Sequence, residues 1–121
     1  MYDNNSVSST FTVIAALSLD KGSVRLRQMR DNSYEFTVPC HNEQISALRL
    51  SHDGRYLVTA CEGGQYVRVF GWFETDEGNG TMQPPMSLYM FEIQGRVGQV
   101  TGFQLSKNMN YIAISMERSE A

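Results

Sequence analysis

A stretch of seventeen residues occurs twice in this chain, and that duplication limits the available folds more than any other feature. QISALRLSHDGRYLVTA, beginning at Gln44, lies over QVTGFQLSKNMNYIAIS, beginning at Gln99, without a gap at an offset of 55. Ile45 meets Val100, Ser46 meets Thr101, Leu48 meets Phe103, Ser51 meets Ser106 and Tyr56 meets Tyr111. Each copy has two runs of alternating apolar residues around a polar turn, the pattern of a β-hairpin with one buried face. A unit of this kind cannot bury its apolar face alone, so copies of it stack on one another.

A second, looser correspondence links LDKGSVRLRQ, from Leu19, to CEGGQYVRVFGW, from Cys61, at an offset of about 42 or 43. Both have an acidic residue, glycine, then apolar residues alternating with arginine. A period in the low forties is that of a four-stranded β-propeller blade. The longer offset of 55 is accounted for by an insertion, Gly71 to Ser87. That segment is rich in glycine, proline and acid, lacks apolar periodicity and reads as an exposed loop grafted between blades.

Alternation places strands in FTVIAALSL and SVRLRQM, joined over DKG, and extended chain in SYEFTVP leading to His41. QISALRLS is expected to put Leu48 and Leu50 on one face and Ile45 and Ala47 on the other. RYLVTAC, YVRVFGW, LYMFEI, QVTGFQL and YIAISM complete about eight or nine short strands with no convincing helix. The fold class expected is therefore all-β, with antiparallel four-stranded blades of a propeller, about two of them. A polar segment, 1–12, precedes this partial propeller, 13–121, with its insertion at 71–87.

Composition narrows the class further. A net charge of −3 supplies no general attraction to nucleic acid or anionic lipid, so no nucleic-acid partner is expected. No apolar run approaches the length of a membrane span, and MYDNNSVSST lacks the basic flank and apolar core of a signal peptide, so the chain reads as soluble and intracellular. Cys40 and Cys61 are the only cysteines. Two thiols without a CxxC pair do not make a zinc site, and they read as small reduced packing groups. No metal or cofactor is expected. Catalysis is not expected either: no nucleophile, base and acid fall into order, and GGQ leads into a strand where a phosphate-cradling loop needs a helix.

CHNEQISALRLSHDGRYLVTACEGGQYVRVF resembles a WD40 repeat, with His41 before the first core strand, SHDG at the turn and an aromatic at the end of the last strand. The family's closing Trp-Asp pair is Phe70 and Gly71 here, so its histidine network is at best partial, with His41 and Thr59 as contributors. GGQYVRVF has one residue more than ordinary WD40 blades between turn glycine and terminal aromatic. That spacing is similar to the PROPPIN family, phosphoinositide-binding seven-bladed propellers of autophagy, in which a blade ends in a segment of the form ASxKGTxIRVF. Ala60, Gly64, Arg68, Val69 and Phe70 match it, Val67 is a near match, and Cys61 and Gln65 replace its serine and threonine. The resemblance covers about residues 13 to 115, with its specific part confined to about thirty of them.

The resemblance implies a non-enzymatic scaffold with protein partners, or a reader of phosphatidylinositol 3-phosphate on endomembranes, with a blade of a BEACH-type trafficking protein as a further possibility. For lipid, the candidates are His41, Arg68 and Arg96. The family's two adjacent arginines, whose guanidinium forks match phosphate oxygens, are absent: Phe91, Glu92, Ile93, Gln94 and Gly95 stand there, and Arg96 follows the glycine. His41 has a structural reading as well, as the histidine of a blade. Arg25, Arg27 and Arg68 read either as a basic stripe or as stems covering a blade face, with Glu35 and Glu62 as counter-charges. For protein contact the candidates are Trp72 and Phe73 beside the acidic loop, Trp72 having packing at a blade edge as its alternative. Two blades cannot close a ring, and the chain reads as beginning inside one blade and ending inside another. It is therefore expected to be part of a larger propeller or to pair with other chains.

Overall fold

The computed structural model describes residues 5–7, 13–28, 34–63, 66–72, 85–93 and 98–118. Ten strands and no helix are present among them. β1 (Asn5–Val7), β2 (Val13–Leu17), β3 (Ser23–Gln28) and β4 (Tyr34–Pro39) form one antiparallel four-stranded sheet in chain order. β5 (Ile45–Leu50), β6 (Tyr56–Cys61), β7 (Tyr66–Gly71) and β8 (Met86–Glu92) form a second, also in chain order. β9 (Gly98–Leu105) and β10 (Ile112–Arg118) form a two-stranded third. The all-β reading is thus correct, and the described residues form two four-stranded sheets and one two-stranded sheet. β1 lies inside a segment with no strand signal, because three residues at a sheet edge leave too short an alternation to recognise.

The sheets stack face to face. Val13, Ala15, Val24, Leu26 and Val38 of the first sheet meet Ile45, Leu48, Leu50, Leu57 and Phe70 of the second in one buried cluster. On the opposite face of the second sheet, Ala47, Val58, Ala60, Val67 and Val69 meet Val100 and Phe103 of the third. A sheet covered on both faces reads as nearly continuous apolar sequence, which is why LVTA in β6 shows little alternation.

The 55-residue repeat is exact in its irregularities. In β5, Ile45 pairs with Cys61 and Ala47 with Ala60, leaving Ser46 as a bulge. In β9, Val100 pairs with Met116 and Gly102 with Ser115, leaving Thr101 as the bulge. This overturns the simple alternation expected of QISALRLS. The bulge resets the period of two, so Ile45 joins Leu48 and Leu50 on one side while Ala47 turns to the other.

The turns repeat too. Ser51 Oγ donates to Asp53 Oδ1 at 2.6 Å and accepts from the Tyr56 amide at 3.0 Å, and Ser106 Oγ contacts Asn108 Oδ1 at 3.2 Å and accepts from the Tyr111 amide at 2.9 Å. Gly54 has φ of 71°, and its counterpart Met109 is held at 61°, a conformation that costs a side chain of this size strain.

The segment 71–87 proves to lie within a sheet and not between sheets. Gly71 pairs with Met86 and Phe70 with Ser87, so β7 and β8 are neighbours and the connection between them belongs to one blade-like unit. Alternation alone cannot say whether a strand after an insertion closes the old sheet or opens a new one; the hydrogen bonds of β8 to β7 decide it. Residues 73–84, the body of that loop, lie outside the described residues.

The turn between β2 and β3 is clamped at Gly22 to the connection that leads from β4 to β5. Gly22 has φ of 76°, and its carbonyl accepts from the amides of Cys40 and His41, both at 3.0 Å. A Cβ there would collide with the carbonyl oxygen of His41. Gly22→Ala therefore combines a left-handed backbone with a backbone clash, and is expected to lower stability by at least about 2 kcal/mol, read from the midpoint of urea unfolding.

Candidate functional site

The candidate residues converge where β4 runs into β5, at the seam between the four-stranded sheets. The Gly22 clamp holds the backbone of Cys40 and His41, and β6 and β7 bring Thr59 and Arg68 opposite each other in register. His41 Nε2 and Thr59 Oγ1 share a hydrogen bond of 3.0 Å. Thr59 is wholly buried, so this bond satisfies a hydroxyl that has no access to water.

Arg68 binds two different parts of the structure. Its Nη1 donates to the Cys40 carbonyl at 2.7 Å and its Nη2 to Ser87 Oγ at 3.0 Å, tying the β4–β5 connection to β8. The guanidinium also lies 4.9 Å from the centre of the Phe70 ring, a cation–π geometry. Arg68 Nε is buried without a partner.

Burial, with the Arg68 guanidinium beside it, lowers the His41 pKa to about 4 against the opposing pull of Thr59. The imidazole is therefore neutral at pH 7. Burial pushes the Cys40 thiol up to about 12 and raises that of Cys61 as well. Neither is a nucleophile at neutral pH, and Cys40 donates to the Val38 carbonyl at 3.3 Å as a core group.

A shallow hollow of about 420 Å³ opens above this seam, lined in part by His41, Glu43, Tyr66, Arg68 and Met90. It joins a carboxylate to the guanidinium, and Glu43 faces Lys21 at 3.8 Å. Among the described residues, no group of three or more metal-ligating side chains is assembled.

Of the sequence candidates, His41 and Arg68 come together at the seam, joined by Thr59. Arg96 and Phe73 lie outside the described residues. Trp72 is corrected: it is 4% exposed in the core cluster with Phe70 and Leu57, so it is not an exposed contact residue. It follows Gly71 at the end of β7, two residues beyond Phe70, and therefore falls on the same inward side. Arg25 faces Glu35 in an exposed ion pair, so Glu35 is its counter-charge. Gly71, where the WD40 pattern has aspartate, has the Leu88 side chain 2.5 Å from where a Cβ would stand, so its neighbour on β8 takes up that space.

An apolar feature escaped sequence reading. Tyr89 and Phe91 on β8 are exposed, and their rings stack with centroids 6.0 Å apart. LYMFEI carries the signal, but its accessibility depends on tertiary neighbours, and among the described residues no strand covers these aromatics.

No family model matches the chain. Over 65 residues, 54% of the chain, it is 34% identical to autophagy-related protein 18 of Dictyostelium discoideum. The match spans 18% of that relative's length. The solved complex of KlAtg21 with the coiled coil of AgAtg16 contains a similar structure, with a TM-score of 0.71, 18% identity and 94% of this chain covered, against 36% of that one. At that identity the likeness establishes the fold: this chain has β-propeller architecture, and it is similar in sequence and structure to PROPPIN-type proteins.

Because His41 is held neutral in the native state, the unfolded chain takes up a proton first as pH falls. Stability is expected to be flat above pH 6.5 and to fall between 6.5 and about 4, by roughly 1 kcal/mol after allowance for the ring's partial exposure. Thr59→Val should cost about 1–2 kcal/mol at pH 7 by leaving His41 Nε2 without its partner. Urea unfolding across that pH range checks both.

Proposed function

We propose that this chain is part of a PROPPIN-type propeller of autophagy, acting as a non-enzymatic scaffold for protein partners, cytoplasmic and peripheral on endomembranes. The PROPPIN-like spacing of GGQYVRVF and the 34% identity to autophagy-related protein 18 support the lineage. The observation that carries the scaffold reading is the engagement of His41 and Arg68 with their neighbours. His41 is neutral and bonded to Thr59, and the two terminal nitrogens of Arg68 are taken up by Cys40 and Ser87. His41 so held offers no positive charge to a phosphate headgroup, and the Arg68 guanidinium, though charged, is anchored in the seam by neutral partners. Glu92, exposed where the family's arginine pair falls, adds charge of the wrong sign.

The partner surface of this reading is the insertion Gly71 to Ser87, which joins β7 to β8 in the chain and of which 73–84 lie outside the described residues. KlAtg21 is seen with a coiled coil, so a coiled-coil protein is the partner class to test first. Deleting 73–84 while keeping the Gly71–Met86 pair should abolish coiled-coil capture in a pull-down and leave the unfolding midpoint within about 1 kcal/mol of the parent, because loop length contributes weakly to stability. Retained capture after deletion would sink the assignment of the loop.

The alternative is a phosphatidylinositol 3-phosphate reader, favoured by the placement of His41 and Arg68 in one hollow with Arg96 as a third candidate in the sequence. It is tested by flotation with vesicles containing 5% of that lipid. The scaffold reading expects no salt-sensitive binding at physiological ionic strength, and Arg68→Gln to change stability and not flotation.

A further inference from the structure

Ser87 ends the insertion and stands at the start of β8, where it is exposed and its Oγ accepts from Arg68 Nη2 at 3.0 Å. Arg68 is half-buried, and its partners are neutral: that hydroxyl, the Cys40 carbonyl at 2.7 Å and the face of the Phe70 ring. Among the described residues no carboxylate is paired with it. Glu43 lines the same hollow, but its carboxylate faces Lys21 at 3.8 Å. Arg68 Nε is buried without a partner. A guanidinium keeps its charge throughout the physiological range, so withdrawing it from water among neutral groups leaves a charge that an anion would compensate.

Ser87 is also reachable. β8 is the edge of its sheet, Met86 beside Ser87 is 55% exposed, and Pro84 and Pro85 have no amide hydrogen to give to a ladder. Opening the Gly71–Met86 and Phe70–Ser87 pairs presents Ser87 in extended chain while the rest of β8 stays paired. Ser46 and Ser51, by contrast, are buried, and the Ser51 and Ser106 hydroxyls are committed to their turns.

We propose that Ser87 is a phosphorylation site whose phosphate docks on the Arg68 guanidinium. A protein kinase transfers the γ-phosphoryl group of a nucleoside triphosphate: the bond from phosphorus to Ser87 Oγ forms, the bond to the nucleoside diphosphate breaks, and the hydroxyl proton passes to the kinase's base. The phosphate brings a charge of about −1.5 to −2 at pH 7 to a donor fork that already points at Oγ. Charge-assisted bonds of this kind are roughly twice as strong as the neutral bond they replace. The root of β8 is then held to the β4–β5 seam by an ion pair, and the guanidinium that lines the hollow is compensated from within the chain. The inference concerns how the insertion is rooted, and it holds whether the insertion binds a coiled coil, another partner or nothing.

The probe is the full 121-residue chain carrying phosphoserine at position 87, followed by phosphorus NMR. In the folded chain the second ionisation of the phosphate is expected to fall to about 5 from its usual value of about 6, because Arg68 favours the dianion. It should return to about 6 in urea and in the Arg68→Gln chain; where Arg68→Gln does not fold, the phosphorylated chain in urea serves as the reference. Amide exchange at Met86 and Ser87 should slow about tenfold relative to the unmodified chain, the factor that one unit of ionisation represents. In cells expressing the chain with phosphatases inhibited, mass spectrometry is expected to place a phosphate on Ser87, and Ser87→Ala to remove it. An unshifted second ionisation in the folded chain, the same shift without the guanidinium, or unchanged exchange at the start of β8 overturns the docking. A peptide recovered only unmodified, or phosphorylated on Thr81 or Tyr89 and not on Ser87, overturns the site.

Discussion

Leu57 and Val58 are adjacent in β6 and both are fully buried, one against the preceding sheet and one against the following sheet. That double burial is the constraint on which the architecture rests. Apolar side chains turned to both faces of one sheet can be removed from water only if a sheet lies on each side, and each such side chain contributes roughly 1.5–3 kcal/mol. The second sheet satisfies this condition along β5, β6 and β7. Stacking is therefore not an arrangement added to finished sheets; it is what makes the second sheet stable at all.

Stacked sheets must be joined so that the chain crosses from the last strand of one to the first of the next, and the seam at Cys40 and His41 performs that crossing. Gly22 approaches it from the first sheet, Thr59 from the second, and Arg68 ties it to the far strand β8. Polar groups lie there because backbone carbonyls at a crossing have no strand partner and need donors from side chains. A neutral histidine, an engaged arginine and two raised thiols make a structural joint.

Much of this was legible in the residues. The 55-residue offset predicted equivalent hairpins, and the bulge and the turn recur in both copies, the turns being set by the local hydrogen bonds of Ser51 and Ser106. The pairing of His41 with Thr59 was accessible through the WD40 resemblance. Less accessible were the face of Ile45, which a single bulged residue reverses, and the place of β8, which depends on the partner across an insertion. Trp72 was undecidable between edge and interface, since a tryptophan beside a polar loop has the same local sequence either way.

The residues in order specify the unit: alternating strands, an acidic glycine turn and a repeat that must stack, because periodicity and turn chemistry are properties of neighbouring residues. Which side of each unit is covered depends on how the sheets pack in space. Phe70 and Trp72 are buried while Tyr89, Phe91 and Tyr111 stand in water, although all five are aromatics in or beside strands. The difference lies in whether another sheet occupies the space beside them, and exposure is a property of that space and not of the residue.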